Sequence, residues 1–405
     1  MRRLLAAALS FAGVLAPAKD AAAERPPSQV VRIATFNASL NRGTEGDLRR
    51  ELATPDSAQA RKVAEIIQRV RPDILLLQEF DFDAGGEALA AFQSNYLARP
   101  QNGAEPIHYA HTFFTESNTG QPSGFDLNND GDTGGGQDAL GYGEFPGQYA
   151  MVLLSRFPID SHARTFRKFL WLDMPDARLP AGWYSPEELA VLPLSSKNHW
   201  DVPVRVGRIT LHLLVSHPTP PAFDGPEDRN GLRNHDEVKF WSDYLGKGAY
   251  MTDDAGRRGG FRGRHFVIMG DQNSDPVDGD SHHEAINALL EHPRIDSSFT
   301  PASEGAAQAG AAQGGINRVH RGDARFDTAD FSDRVAGNLR VDYLLPSRGI
   351  RVCGGGVFWP RDDQPFAGLV DASDHRLVWI DVNAAAGRCP RDSDPTASGS
   401  SHPRR

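Results

Sequence analysis

The chain has 405 residues, a length that fits one large domain with insertions or two modest domains, and we expect one. Hydrophobic residues make up 39% and charged residues 24%, as in globular proteins, while 40 Gly and 28 Pro predict many loops and little helix. A formal net charge of −10 excludes attraction of a polyanion by overall charge, so nucleic-acid binding would require a local basic patch or bound cations.

The N-terminal segment, residues 1–23, has the pattern of an export signal. Two arginines precede an apolar run over 4–14, and small residues at 16–18 or 21–23 would permit cleavage. The run breaks at Pro17, short of the roughly 20 apolar residues that a transmembrane helix needs. We therefore expect a secreted or periplasmic monomer without a transmembrane segment.

Hydrophobic periodicity predicts a helix and a series of strands. Apolar residues at i, i+3, i+4 and i+7 over 63–70 predict a helix from about Asp56 to Arg71, with Thr54 or Asp56 as its cap. The apolar run 74–77 is typical of a strand buried on both faces. The predicted strands are 30–36, 74–77, 150–154, 204–215 with a turn near Gly207, 266–269, 341–345 and 377–382.

Insertions of unusual composition interrupt this pattern. Residues 99–148 are rich in Gly, Asp and Asn, 160–201 contain three tryptophans, and 301–317 form a Gly, Ala and Gln segment that we expect to be mobile. Residues 384–405 have the composition of a disordered tail. One domain over 28–383, without internal repeats, is therefore predicted.

Polar residues stand at the ends of most predicted strands. Singly, a Glu, Asn or His after a strand is more often a solvated or scaffold residue than a catalytic one. Together they combine the hard oxygen ligands that Mg²⁺ prefers with groups that could orient a water and stabilise charge on phosphate. The set comprises Asn37, Glu79, His217, Asp271, Asn273, Asp342, Asp374 and His375.

These residues lie within short motifs that follow one another in a defined order. The motifs are Thr35-Phe36-Asn37, Leu77-Gln78-Glu79, Leu154-Ser155-Arg156-Phe157-Pro158, Gly270-Asp271-Gln272-Asn273, Val341-Asp342-Tyr343 and Ser373-Asp374-His375. Over residues 30–382 the set resembles the endonuclease/exonuclease/phosphatase superfamily, which includes DNase I-like nucleases, neutral sphingomyelinases and inositol polyphosphate 5-phosphatases. The resemblance implies an α/β fold, a four-layer sandwich of two face-to-face mixed β-sheets flanked by helices, with the site at one edge.

The resemblance also implies a phosphoester hydrolase that depends on Mg²⁺ or Mn²⁺. Glu79 would be the principal metal ligand, with Asn37 beside it and Asp374 close to the metal. Asp271 would polarise or deprotonate the attacking water, and Asn273 would hold that water or a phosphate oxygen.

The resemblance further implies that two histidines face the phosphate. His375 would contact it, with its tautomer and charge set by Asp342, and His217 would be the second. Which residue acts as general base or acid stays open. Ser39 stands in place of the acidic residue, and His217 in place of the tyrosine, of the apurinic-site nuclease branch, so the chain leans toward the DNase I, sphingomyelinase and phosphatase branches.

The acidic segment 126–132 suggests a second cation site. Oxygen-bearing side chains alternate there and Gly131 stands at position six of a calcium loop, but Gln137 occupies position twelve, where a bidentate Glu belongs. This departure argues against an EF-hand. Two interpretations stay open, namely a structural calcium loop completed by a residue such as Asp138 and a plain Asx-rich turn. The candidate ligands are Asp126, Asn128, Asp130 and Asp132.

Other polar side chains are candidates for substrate binding. Arginines at the start of a predicted helix suit phosphate, although a capped surface helix with Glu237 outside explains them equally well. Polar residues of the preceding insertion are more often solvated than functional. The candidates are Arg229, Arg233 and Asn234 on the helix, and His199 with Lys197 and Asp201 in the insertion.

Three further groups have plainer explanations. The tryptophans of the 160–201 insertion fit a core better than a substrate lid, and the arginines at 257–264 fit a solvated loop better than a nucleic-acid patch. Cys353 and Cys389 favour one structural disulfide over catalysis, because an exported protein meets an oxidising compartment.

The sequence therefore predicts an exported phosphoester hydrolase that acts by metal-assisted in-line attack of water on a phosphodiester or phosphomonoester. Its substrate class stays open among nucleic acid, sphingomyelin, inositol phosphates and nucleotides. The alternative, a non-catalytic binding module on the same fold, would be marked by loss of a key residue, and none is missing. The binuclear metallophosphoesterase class is disfavoured, since 270–273 is not its Gly-Asn-His-Glu motif.

Overall fold

A computed structural model describes residues 30–383 and Cys389. The predicted export signal, and the predicted tail apart from Cys389, lie outside the described residues. Each helix in the described part of the chain is too short or too polar to span a membrane.

The strands are β1 Val30–Leu40, β2 Ile74–Phe80, β3 His111–Phe113, β4 Met151–Ser155, β5 Arg164–Thr165, β6 His199–Val206, β7 Ile209–Ser216, β8 His265–Asp271, β9 Ala329–Asp330, β10 Asn338–Leu339, β11 Asp342–Pro346, β12 Arg351–Val357 and β13 Val378–Asn383. The α-helices are α1 Asp47–Leu52, α2 Ala58–Val70, α3 Glu87–Phe92, α4 Pro186–Leu189, α5 Arg229–Leu245, α6 His283–Leu290 and α7 Glu304–Gln313.

Two mixed sheets form the centre of the molecule. The first has six strands in the order β12-β13-β1-β2-β4-β3, and the second has five in the order β11-β8-β7-β6-β5. In the first sheet β1 and β2 are parallel, and the other neighbours are antiparallel. In the second sheet β7 and β8 are the parallel pair.

Apolar side chains fill the space between the sheets and the space outside each of them. Ile33 and Leu76 of the first sheet belong to the same buried cluster as Val202 and Leu213 of the second. On the outer faces, α2 and α3 cover the first sheet, and α5 and α6 cover the second. These are the four layers of the predicted sandwich, and the fold prediction is confirmed.

Helix α2 shows why periodicity predicts this layer well. The apolar positions of 63–70 are all buried against the first sheet, as the spacing requires. The cap was predicted wrongly, because it is Ser57, whose Oγ accepts a hydrogen bond from the backbone N of Ala60 at 3.2 Å. Arg71 ends the helix in the left-handed conformation, with a φ of 55°.

The segment 301–317 is not the mobile insertion that its composition suggested. It contains α7, which is capped by the Ser303 hydroxyl and buries Ala306 in the core between the sheets. Gly305 packs so tightly that a Cβ there would lie 2.0 Å from the carbonyl oxygen of Trp359. Alanine and glutamine are good helix formers, so local propensity and this close contact outweigh the low hydrophobicity.

Two simpler predictions agree with the structure. Trp171 and Trp200 are core residues, each almost wholly buried. Cys353 and Cys389 form a disulfide, which joins β12 to the chain beyond β13.

The topology brings the ends of six strands to one edge of the sandwich. Parallel β1 and β2 end there, and β13, antiparallel to β1, begins there. In the second sheet β7 and β8 end at this edge and β11 begins at it. The polar motifs are therefore gathered at one place by strand direction alone.

Candidate active site

The carboxylate of Glu79 is held by two amides at this edge. The side-chain nitrogen of Asn37 donates to Oε1 at 3.0 Å, and that of Asn41 donates to Oε2 at 2.8 Å. A register shift in β1 between Asn37 and Leu40 brings both amides to one carboxylate. Ser39 and Glu79 have φ values of 46° and 55°, a backbone strain that is typical of functional sites.

Asn37 also joins the two sheets. Its side-chain nitrogen lies 3.2 Å from Oδ2 of Asp271, the last residue of β8. Asp271 in turn pairs across the ladder with Asp342, the first residue of β11. All three side chains are buried, so two carboxylates lie side by side in a poorly solvated environment.

His375 is oriented by Asp342. Its Nδ1 lies 2.9 Å from Asp342 Oδ2, which also accepts a hydrogen bond from the Thr328 hydroxyl at 2.9 Å. The backbone N of His375 donates to the Ser373 hydroxyl at 3.0 Å. With Nδ1 directed at a carboxylate, Nε2 faces Asp271 Oδ2 at 3.6 Å.

His217 approaches the same carboxylate from β7. Its Nε2 lies 3.4 Å from Asp271 Oδ2, and its Nδ1 is buried without a hydrogen-bond partner among the described residues. Burial lowers the pKa of His217 well below its usual range, and the charges of Lys197 and His375 lower it further. The ring is therefore neutral at physiological pH.

The pKa values of Asp271 and His375 are both raised, but for different reasons. Burial raises the pKa of Asp271 to about 7, although the neighbouring His375 opposes the rise. Burial alone would lower the pKa of His375, but the carboxylates of Asp342 and Asp271 outweigh it and raise that pKa to about 10. At neutral pH His375 is an imidazolium, whereas Asp271 can gain or lose a proton, as a general base requires.

Asn273 completes this side of the site. Its backbone N donates to Asp271 Oδ1 at 2.8 Å and its side-chain nitrogen donates to the carbonyl oxygen of Pro218 at 3.1 Å. Its φ of 49° makes it a third strained residue at the edge. The turn after β8 thus fixes Asp271 and Asn273 together.

Two acidic groups could hold a metal, and they differ in exposure. Ligand atoms of Asp271, Asp342 and His375 lie within 4.8 Å of one another, but these side chains are buried and engaged with each other. Mg²⁺ usually keeps several waters and needs an open face. Half-buried Glu79 and exposed Asp374 offer that face with oxygen ligands alone.

Glu79 and Asp374 lie close enough for their charges to interact. Burial raises the pKa of Glu79, and the negative charge of Asp374 adds to the rise. The Ser39 hydroxyl donates to Asp374 Oδ1 at 3.1 Å. Asn37 presents its nitrogen to Glu79, so in this arrangement it orients the carboxylate, and direct coordination by Asn37 stays a prediction.

A pocket of about 430 Å³ opens beside Glu79 and His217. Buried Lys197 lies in its wall and donates to the carbonyl oxygen of Pro218 at 3.3 Å. Burial lowers the pKa of Lys197, while the nearby carboxylates of Glu237, Glu79 and Asp271 favour its charged form. Much of the remaining wall is aromatic or apolar: Leu127, Tyr142, Tyr149, Tyr184, Leu192, Pro220, Ala222 and Phe223.

Of the six predicted substrate-binding residues, Arg229, Arg233 and Lys197 line the pocket. The Arg229 guanidinium forms an ion pair with Glu227 and lies 5.5 Å from the centre of the Trp183 ring. Arg233 also borders the pocket, but its guanidinium donates to the carbonyl oxygens of Leu194, Pro193 and Leu140.

Asn234 and His199 serve the scaffold rather than the substrate. The Asn234 side chain donates to the carbonyl oxygens of Thr219 and Gln272. Both ring nitrogens of His199 contact protein atoms, the Ser195 hydroxyl and the carbonyl oxygen of Glu237. The expected substrate contacts of these two residues are therefore corrected, because both side chains are buried and their nitrogens are engaged by protein atoms; the Asn234 Oδ1 has no partner among the described residues.

Helix α5, which carries Arg229, Arg233 and Asn234, is not a surface helix. Glu237, expected outside, is buried, and its carboxylate accepts from the backbone nitrogens of Ser196 and Thr219, each at 2.6 Å. Helix α5 thus fastens two loops of the pocket wall.

Sequence reasoning missed three parts of the site. Asn41 gave no signal, because its partner Glu79 lies 38 residues away. Thr328, which holds Asp342, lies between predicted elements. The aromatic wall is assembled from segments distant in sequence, which no local pattern connects.

Comparison with known protein families identifies the family of this chain. The sequence matches the endonuclease/exonuclease/phosphatase family over residues 34–375. The chain belongs to this family. Members of the endonuclease/exonuclease/phosphatase family are mostly phosphoesterases. Among curated proteins, none matches the chain significantly.

Three solved structures align with most of the chain. An endonuclease/exonuclease/phosphatase from Beutenbergia cavernae aligns with a TM-score of 0.48 and 17% identity, over 87% of this chain and 71% of that one. A family protein from Leptotrichia buccalis aligns with a TM-score of 0.45 and 13% identity, over 86% and 98%. Sphingomyelinase C from Streptomyces griseocarneus aligns with a TM-score of 0.44 and 13% identity, over 87% and 99%.

Proposed function

We propose that this protein is an exported, divalent-metal-dependent hydrolase of small phosphate esters. The observation that carries the proposal is the position of Asp271, whose Oδ2 lies within 3.6 Å of the side-chain nitrogens of Asn37, His217 and His375. A carboxylate with a pKa of about 7 lies there beside an imidazolium and close to the open carboxylate of Glu79. Acid-base groups near a metal face are the requirements of phosphoester hydrolysis.

The ion would be held by Glu79 and Asp374, with Asn37 and Asn41 orienting the first carboxylate. When bound, Mg²⁺ or Mn²⁺ supplies positive charge that stabilises the phosphate oxygens.

The remaining groups would act on the water and the phosphate. Asp271 accepts a proton from the water as its oxygen bonds to phosphorus, the ester P–O bond on the opposite side breaks, and the leaving oxygen takes up a proton from solvent. Asn273 positions the attacking water or a phosphate oxygen. His375, kept protonated by Asp342, directs Nε2 at a phosphate oxygen, and His217 lies beside it.

The pocket supports a small organic substrate. Its volume of about 430 Å³ falls in the range of small-molecule sites, and tyrosines with Phe223 offer flat apolar surface to a leaving group. The net charge of −10 disfavours a long polyanion. Export is supported by the pattern of residues 1–23 and by the Cys353–Cys389 disulfide, which suits an oxidising compartment.

The test is hydrolysis by metal-free protein supplied with Mg²⁺ or Mn²⁺. Nucleotides and inositol phosphates should be cleaved faster than DNA, RNA or sphingomyelin vesicles. Glu79→Gln and His375→Ala should each reduce kcat/KM by roughly 10²-fold or more, as typical for such groups. The exposed residues Glu105 and His108 supply matched controls, Glu105→Gln and His108→Ala, which should keep full activity.

Two results would overturn parts of the proposal separately. Activity that survives both Glu79→Gln and His375→Ala would refute the assigned site. Faster cleavage of a polymer or a lipid than of every small ester would refute the substrate class and leave the hydrolase.

A further inference from the structure

Three carboxylates converge in the loop 126–138, outside the site described above. Ligand atoms of Asp126, Asp130 and Asp138 lie within 4.8 Å of one another. Among the described residues, no lysine, arginine or histidine forms an ion pair with them. Three carboxylates thus lie together without a cationic side chain to pair with them in the described part of the chain.

The side chain of Asp138 is buried with one of its two carboxylate oxygens unpaired among the described residues. The residue is only 2% exposed, and its Oδ1 accepts from the backbone N of Leu127 at 2.8 Å. Its Oδ2 is buried and has no hydrogen-bond partner in the described structure. A buried carboxylate oxygen without a partner is unfavourable, and a cation would satisfy it.

Hydrogen bonds within the loop fix the other two carboxylates. Asp126 accepts from the backbone nitrogens of Asp130 and Gly131 at 3.1 and 2.8 Å, and the Asn128 side chain donates to Asp130 at 2.8 Å. Gly131 turns the chain with a φ of 97°. Asp132, a candidate ligand by sequence, is not part of the cluster.

We propose that this loop binds Ca²⁺ through Asp126, Asp130 and Asp138. The ligands are all oxygen, which suits a hard cation and not zinc, and an irregular loop suits Ca²⁺ better than Mg²⁺, which demands near-ideal octahedral geometry. Asp138 takes the place of the bidentate glutamate that the sequence lacks at Gln137.

The ion would stiffen one wall of the pocket. Leu127 and Gln137 both line it, and the Leu127 carbonyl oxygen accepts from the Trp183 indole at 3.0 Å. Arg229 lies over the Trp183 ring and donates to Gln137 Oε1 at 3.3 Å. Calcium would therefore act together with the Glu227 ion pair in ordering Arg229 at the pocket, without touching the proposed catalytic residues.

The experiment measures binding directly, on EDTA-treated full-length protein with its first site saturated by Mg²⁺. Calorimetry with Ca²⁺ should give a Kd of about 1 mM or tighter, the range of extracellular calcium modules. Tb³⁺ in place of Ca²⁺ should show luminescence sensitised by Trp183, reversed by added Ca²⁺.

Three variants distinguish a specific Ca²⁺ site from nonspecific attraction of Ca²⁺ to an acidic loop. Asp138→Asn, which can still accept from Leu127, and Asp130→Asn should weaken Ca²⁺ binding by about tenfold or more. Asp132→Asn removes a charge from the same loop and should change the Kd less than about twofold. Circular dichroism checks that each variant is folded, and Asp130 is exposed, so its replacement does not disturb a core.

No Ca²⁺ heat and no terbium signal in the wild type would overturn the proposal. Equal weakening by all three variants would do so as well, because it would mean diffuse attraction to an acidic loop. Neither readout depends on turnover, so failure here is distinguishable from failure of the proposed hydrolase activity.

Discussion

Asp271 lies where the two sheets and two histidines meet, and its surroundings shift its pKa in opposite directions. Burial favours the protonated acid, while the imidazolium of His375 favours the carboxylate. The balance leaves a pKa of about 7, at which a carboxylate accepts a proton far better than an exposed aspartate would. The charge of His375 is therefore as important to the site as its position.

Asp342 should control that charge. Replacing it by Asn removes the carboxylate that holds Nδ1 of His375 at 2.9 Å, so Asp342→Asn should lower the His375 pKa from about 10. Activity should then fall with rising pH at a lower pH than in the wild type, and kcat should drop by about 10²-fold.

The imidazole pKa can be followed by NMR of the ring nitrogens. Asp330→Asn is the matched control, since Asp330 pairs with Arg376 beside His375 but does not contact the ring nitrogens of His375. A His375 pKa that is the same in wild type and Asp342→Asn would contradict the orienting role.

At the scale of elements, strand direction explains most of what could be read in advance. The apolar runs 74–77 and 266–269 lie inside β2 and β8, and polar residues follow both. Because parallel strands end at one edge, motifs far apart in sequence could be expected to meet. Periodicity and motif order were enough for the fold and for the neighbourhood of the site.

Hydrogen bonds between residues far apart in sequence could not be predicted from periodicity or strand direction. Arg233 resembles a phosphate ligand in sequence, yet its partners are carbonyl oxygens 39 to 93 residues away. Asn41 resembles a loop residue, yet it holds Glu79. A side chain's role depends on whether its polar atoms are already paired, which only tertiary structure decides.

The close approach of β7 and β8 gives a prediction at this scale. Gly270 has a φ of 137°, and a Cβ there would lie 2.0 Å from the carbonyl oxygen of Ser216. Gly270→Ala should therefore destabilise the fold by roughly 2–4 kcal/mol and displace Asp271. Denaturant unfolding measures the loss.

Gly354→Ala supplies the comparison, because Gly354 also lies in a strand but a Cβ at that position would meet no atom within 4 Å. Its unfolding free energy should stay within about 0.5 kcal/mol of the wild type. Equal stability of the two variants would show that β7 and β8 do not approach as closely at Gly270 as the structure indicates.

For the whole molecule, buried titratable groups make stability depend on pH in opposing directions. Burial lowers the pKa of His199 to about 4, whereas it raises that of Asp327 to about 8. A depressed histidine is neutral in the folded chain but gains a proton in the unfolded chain below pH about 6.5. A raised aspartate instead holds a proton in the folded chain that the unfolded chain has lost.

His199→Gln should isolate the first of these effects. The wild-type contribution of His199 is fully present above pH about 6.5 and is lost as pH falls toward 4, by up to about 3 kcal/mol. The stability advantage of the wild type over His199→Gln should therefore shrink over that window, as measured by urea unfolding between pH 4 and 8. Asp327→Asn should show the opposite slope, because the Asp327 contribution is present at low pH and lost as pH rises through about 8. A difference between wild type and His199→Gln that stays constant from pH 7 to pH 4 would show that His199 does not titrate as its burial requires.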